Sequence, residues 1–255
     1  MSDLIKVEVA DGIQIITINR PEAKNAINLE TAQAMAAALD QLDSRDDVRI
    51  GILTGAGGTF SSGMDLKAFA KSGQRPYVEG RGFAGLNEAP PKKPLIAAVQ
   101  GFCVGGGFEL AMCADIIVAA DTAQFGLPET KVGIIGECGV VHRAVRQLPY
   151  HIAMAMILTG ERINSATAER FGLVNQVVPY AELAATAQAW AEKINKAAPL
   201  ANQAAKAAAN GRLGYPLDVA LMTKFEVIEQ YAGSADQREG DAARAEGRKP
   251  LWTGR

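Results

Sequence analysis

The sequence predicts an α/β fold, on three observations. Short apolar runs, RIGILTG (49–55), PLIAAVQG (94–101), ADIIVAAD (114–121) and GLVNQVV (172–178), read as buried strands with helical segments between them. Alternation of strand, turn and helix is the pattern of a parallel sheet joined by short crossovers. From about residue 180 onward the chain is nearly all helical pattern and rich in alanine, which places a helical region after the α/β part.

The elements follow in order. IKVEVADGIQIITI (5–18) reads as two strands joined at Asp11-Gly12, because Asp-Gly between alternating apolar residues is a hairpin signal. LETAQAMAAALDQLD (29–43) carries helical periodicity, with Asn28 as its candidate N-cap. The stretch 70–93, AKSGQRPYVEGRGFAGLNEAPPKK, is polar and interrupted by Gly and Pro, and is expected to be a mobile loop around a short helix. No internal repeat is visible. A core of residues 1–195 and a helical subdomain of 196–255, serving as an oligomer contact or a cover for the site, is the expected division.

Composition excludes several classes of function. The 255 residues are 48% hydrophobic and 21% charged, with a net charge of −2 and scattered Lys and Arg, so no basic surface for nucleic acid or anionic membrane is expected. The N-terminus lacks the basic-then-apolar pattern of a signal peptide, and no apolar run reaches the roughly 18 residues of a membrane span. Cys103, Cys113 and Cys138 have no CxxC spacing and read as reduced core thiols of a cytoplasmic protein. With only His142 and His151, neither a Ser-His-Asp hydrolase nor a His-rich metal site is expected.

Two glycine-marked turns follow buried strands: TFSSGMDL (59–66) and GGGFEL (105–110). Each reads as a strand, a sharp turn and the start of a helix, where the first amides have no intrahelical partner. They are either ordinary strand-to-helix turns or, placed side by side, two N–H groups aimed at one point, as in an oxyanion hole. The candidate donors are the amides of Met64 and Gly106. GAGGTF (55–60) fails the GxGxxG pattern, and no GxxxxGK[ST] occurs. Glu109, one turn into the second helix, is either a capping-box glutamate or half of an acid–base pair. Glu129, in FGLPETKVG, is either a loop or helix-start residue or the other half. Glu137, in IIGECGVVHR, is a third acid.

These residues resemble the crotonase, or enoyl-CoA hydratase/isomerase, superfamily. The likeness also runs through NRPEAKNAIN (19–28), GAGGTFSSGMDLKA (55–68), KPLIAAVQGFCVGGGFELAMCADIIVAADTAQFGLPE (93–129), LTGERINSATAERFGLVNQVV (158–178) and REGDAARAEGRKPLWTGR (238–255). The resemblance implies a spiral of ββα turns with a helical C-terminal region, assembled as a homotrimer or homohexamer. It implies an acyl-CoA substrate and no cofactor, coenzyme A being part of the substrate. It places the thioester oxygen on the Met64 and Gly106 amides, water activation on Glu109 and proton transfer at Cα on Glu129. Lys24, Ala26, Asp65, Leu66, Lys67, Gly105 and Pro128 match positions along the substrate groove. Both glutamates are present, which favours hydratase chemistry over isomerisation.

The sequence departs from that pattern at three places. Glu137 replaces a glycine in the segment Gly136–Val140, where many relatives read Pro-Gly-x-Gly-Gly, Gly247 replaces a common lysine, and Met64 replaces a smaller residue. Glu137 either greets a polar or cationic acyl tail, or turns to solvent or pairs with Arg143 or Arg146. The expected activity is therefore hydration of a 2-trans-enoyl-CoA. A carnitinyl-CoA dehydratase or a dienoyl- or enoyl-CoA isomerase using Glu137 is the alternative, and a non-enzymatic binding protein of the same fold is a remote one. RGFAGL (81–86) and the KPLWTGR ending are shared in feel with carnitinyl-CoA dehydratases.

Overall fold

A computed structural model describes residues 3–211 and 213–255. The chain opens with a hairpin, β1 (Ile5–Ala10) and β2 (Ile13–Ile18), in the expected register. Asp11 and Gly12 both take positive φ, 51° and 79°, as a two-residue turn matched to strand twist requires. Helix α1 (Leu29–Ser44) follows, and the Asn28 side chain accepts from the Thr31 amide as its N-cap. Then come β3 (Ile50–Gly55), α2 (Leu66–Ser72), the short hairpin β4 (Tyr77–Val78) and β5 (Gly82–Phe83), β6 (Leu95–Val99), β7 (Phe102–Val104), α3 (Gly106–Met112), β8 (Ile116–Ala120) and β9 (Gln124–Gly126). The rest is α4 (Val140–Gln147), α5 (Tyr150–Thr159), β10 (Arg162–Asn164), α6 (Ser165–Arg170), β11 (Gln176–Val178) and α7 (Leu183–Asn195). Beyond these, the regular elements among the described residues are helices: α8 (Pro199–Gly211), α9 (Leu217–Met222), α10 (Glu226–Tyr231) and α11 (Ala235–Glu246).

The main sheet has the order β1-β2-β3-β6-β8-β11, parallel from β2 onward. Its inner strands β3, β6 and β8 are buried on both faces, which is why they read as continuous apolar runs. Alternate residues serve two cores. Ile13, Ile50, Ile52, Ile96, Ala98 and Val118 meet Leu183, Ala187 and Ala191 of α7. Ile16, Leu53, Ala97, Val99 and Ile117 face the other way, into the larger core with Met35, Leu39 and Leu42 of α1.

Two expectations are corrected, and a second sheet was not foreseen. The run 172–178 pairs only over Gln176–Val178, because Gly172, at φ 76°, ends α6 and the next residues carry the chain back to the sheet. A second sheet, β10-β9-β7, has strands of only three residues, too short to show periodicity. The stretch expected as a polar loop instead buries Phe83, Ala84, Leu86 and Asn87 against the core. Its polar appearance comes from the residues flanking that buried centre.

Candidate active site

The two glycine turns do meet. The Ser61 amide donates to Phe102 O and the Val104 amide to Ser61 O, which lays 61–65 alongside 102–106. The approach is close enough to need glycine. A Cβ on Gly107 would fall 2.2 Å from Ser61 O, and one on Gly63 would fall 2.7 Å from Gly106 N. Gly63 is also at φ 88°.

The amides of Met64 and Gly106 are both free among the described residues, for different reasons. Gly106 is the first residue of α3, where no intrahelical acceptor exists. Met64 is not a helix-start residue, contrary to the sequence expectation. Helix α2 begins two residues later, capped by Asp65, whose carboxylate accepts from Ala68 N. Met64 instead forms a parallel bridge with Ile27, in which Ile27 donates to Gly63 O and accepts from Asp65 N. That pattern turns the N–H of Met64 away from Ile27.

The remaining candidate positions gather around the same turns. Lys24 O accepts from Ser62 N, and Ala26 O accepts from the Arg20 guanidinium, which also pairs with Asp65 at 2.9 Å. Leu66, 57% exposed, and Lys67 open α2 at the surface. Gly105 is the N-cap of α3 at φ 55° and ψ −130°, and a Cβ there would lie 3.1 Å from Glu129 Oε1. Pro128 and Glu129 begin a 3-10 turn, Pro128–Val132, where proline's fixed φ and missing N–H are tolerated.

Glu109 is 2% exposed, and its Oε1 accepts from Val140 N at 3.2 Å. It does not close a capping box, because the Gly105 amide donates to Gly126 O. Burial pushes its carboxyl up to about 7, against the opposing Val140 and Cys138 hydrogen bonds. Burial also raises Glu129, whose own backbone amide partly offsets the effect, and Glu129 Oε2 is buried without a hydrogen-bond partner among the described residues. Two carboxyls that burial shifts toward the protonated form, beside two free amides, can take a proton from a bound molecule and give one to it.

Glu137 is the exception. It points outward and pairs with Arg75 at 2.8 Å, both side chains about half exposed. Arg143 and Arg146 bond instead to Asn87 O and His142 O. What stands beside Glu109 is the thiol of Cys138, with the Tyr77 hydroxyl 2.6 Å from its sulfur. Tyr77, Cys138 and Asn87 had no signal of their own in the sequence, because their contacts span 51 and 61 residues.

The Glu109 shift has a consequence for stability. The unfolded chain releases this proton near 4.5 and the folded chain near 7, so between these values the folded state binds more protons. The contribution is fully present below about 4.5 and is lost as pH rises from there through about 7. Denaturant titrations across that window should show the native chain losing about 3 kcal/mol more than Glu109→Gln. Parallel curves for the two proteins would refute this.

Known proteins place the same geometry in context. A family model described as enoyl-CoA hydratase/isomerase matches residues 8–255. A carnitinyl-CoA dehydratase of Escherichia coli strain K12 is 42% identical, with all of both chains covered. The crystal structure of an enoyl-CoA hydratase from Mycobacterium marinum is 44% identical, with a TM-score of 0.95 and full coverage of both chains. That of a carnitinyl-CoA hydratase from Mycobacterium avium is 38% identical, with a TM-score of 0.80 and the same coverage. A likeness of this extent leaves no segment of the fold unmatched, and the chain belongs to the enoyl-CoA hydratase/isomerase family.

Proposed function

We propose that this enzyme is an enoyl-CoA hydratase, adding water reversibly and syn across the double bond of a 2-trans-enoyl-CoA. One observation carries the reading: the buried Glu109 and the half-buried Glu129, whose Oε2 is itself buried, lie at the turns that carry two amides no other described group uses. The thioester oxygen accepts from Met64 N and Gly106 N. Glu109, ionised, takes a proton from water as the oxygen attacks Cβ. The resulting enolate is held by the two amides, and Glu129 delivers its proton to Cα. Fixed dipoles in a site shielded from water favour the charge that develops on the oxygen. Lys24, Ala26, Asp65, Leu66 and Lys67 form one rim of the groove for the coenzyme A portion, with Gly105 and Pro128 behind the acyl carbons. No cofactor is required beyond the coenzyme A of the substrate.

The second reading is hydration or dehydration of a carnitinyl-type thioester, favoured by the names of the E. coli and M. avium relatives. The outward Glu137–Arg75 pair removes the reason for assigning Glu137 to that chemistry. The test is loss of the conjugated enoyl-thioester absorbance with crotonyl-CoA, run beside carnitinyl-CoA. Fast loss with crotonyl-CoA supports the first reading. No loss, with the ester still bound and carnitinyl-CoA turned over, supports the second. Glu137→Gln should leave the crotonyl-CoA rate within about twofold, since an exposed ion pair contributes little.

Residues 196–255 are read as a helical subdomain on the 1–195 core. The exposed Leu217, Leu221 and Met222 of α9 support its use in a homotrimer or homohexamer. No described helix is long and apolar enough to cross a membrane, and a cytoplasmic location without nucleic-acid partners remains part of the proposal.

A further inference from the structure

Helix α4 starts on a residue that cannot cap it. Its N-cap is Gly139, at φ 95°, which has no side chain to offer the first amides. Val140 is the first helical residue, so its N–H has no intrahelical acceptor, and Glu109 Oε1 accepts it at 3.2 Å. The entry to the helix is held instead from a distant part of the chain. Asn87, 5% exposed, donates through Nδ2 to Cys138 O at 2.5 Å. Arg143, in the first turn of α4, donates its amide to Gly139 O at 2.9 Å and its guanidinium to Asn87 O at 2.6 Å. The Tyr77 hydroxyl, 2.6 Å from Cys138 Sγ, ties the same segment to the turn once more. On its far side the segment is fixed to α1, where Arg81 pairs with Asp40 at 2.5 Å and donates to Gly85 O at 2.9 Å. Asn87 Oδ1 is buried without a hydrogen-bond partner among the described residues. An unmet buried acceptor is costly, and a residue that only filled this space would be apolar. The half of the amide that the position uses is its N–H.

We propose that Asn87 is a positioning residue: it gives the entry of α4 the anchor that a glycine N-cap cannot, and so keeps the Val140 amide where the Glu109 carboxylate accepts from it. The part given to Glu109 in the reaction rests on the hydratase reading; the anchoring itself does not. The 138–139 and 139–140 peptides flank a glycine, whose backbone turns freely, so fixing the first from outside limits where the second can point. Other groups act on Glu109 as well: Glu129, Arg143 of α4, the Cys138 and Cys113 thiols and the Tyr77 hydroxyl. An alanine at position 87 removes none of them, and its main-chain carbonyl still accepts from Arg143. The contribution of the Asn87 side chain can therefore be isolated.

The test reads two NMR signals of the full-length protein. One is the Glu109 carboxyl carbon, assigned by its absence in Glu109→Gln. The other is the Val140 amide in protein labelled with nitrogen-15 at valine, assigned by its absence in Val140→Ala. In the native chain the Val140 signal should follow the Glu109 titration, because an amide that donates to a carboxyl senses its ionisation. Removing a hydrogen bond to the charged form raises a titration midpoint. Asn87→Ala should therefore raise the Glu109 midpoint by about one pH unit, the equivalent of one hydrogen bond to an ionised group, and weaken the Val140 response. Arg81→Ala is the structural control. The Arg81 side chain bonds to Asp40, Gly85 O and Ala89 O and not to the 136–140 turn, so its loss should lower Tm and leave both signals near their native values. If the enzyme hydrates crotonyl-CoA, the acid limb of the pH–rate profile of Asn87→Ala should move upward with the midpoint. A Val140 amide that ignores Glu109 in the native chain, an unmoved midpoint in Asn87→Ala, or an equal movement in Arg81→Ala would each overturn the proposal. An inactive native enzyme with the NMR shifts as expected would support the anchoring and count against the hydratase reading alone.

Discussion

Glu129→Gln and Glu109→Gln should each lower crotonyl-CoA turnover by about 10²- to 10⁴-fold with little change in KM. A carboxamide keeps the shape and most of the polarity of each side chain but neither takes nor gives the proton, and positioned acid–base groups contribute rate of this order. The Glu129 variant is the cleaner of the two. Its Oε2 makes no hydrogen bond to any described group, so its replacement breaks none of the contacts that hold the turn. Glu109→Gln must still accept from Val140 N, which the amide oxygen can do. The two carboxyls act on one substrate in one step, so their losses should not add, and the double variant should fall little below the slower single one. Turnover within a few-fold of native in either single variant, with circular dichroism unchanged, would remove that glutamate from the mechanism.

Gly63→Ala should be nearly as damaging although no side-chain chemistry is touched. The new methyl would sit 2.7 Å from Gly106 N and 3.1 Å from Val104 O, and these are backbone atoms that cannot rotate away. The residue must also hold φ at 88°, where a Cβ is strained. Relief comes only by separating the two turns, which carries the Gly106 amide away from the Met64 amide. Loss of one donor of such a pair costs about 10²- to 10³-fold in kcat. The fold itself should persist with a loss of about 1–3 kcal/mol. Turnover within tenfold of native would mean that the two amides do not act together.

How much of this was legible beforehand depended on the distance over which each feature is encoded. The Asp11-Gly12 hairpin, the Asn28 cap and the buried strands at 50–55, 95–99 and 116–120 depend on neighbours in sequence, and they lie where local pattern places them. The turn glycines and Glu109 were visible because an apolar run has no local use for three glycines and a carboxylate. The three-residue strands of the second sheet were not visible, since a period of two cannot be recognised over so few residues.

Tertiary structure decided the rest. Glu137 and Cys138 are adjacent and both polar, and nothing local says which one faces Glu109. Arg75, 62 residues away from Glu137, draws that side chain outward, while Tyr77, 61 residues from Cys138, meets the thiol inside. Likewise, Met64 owes its free amide to a bridge with Ile27 rather than to the helix that follows it. By itself the sequence determined the α/β class and the family likeness and marked the two glutamates as candidates, because these rest on local pattern and residue type. Which of its polar groups share the site was decided by contacts between segments far apart in the chain, since a side chain's direction is set by whatever partner packing brings to it.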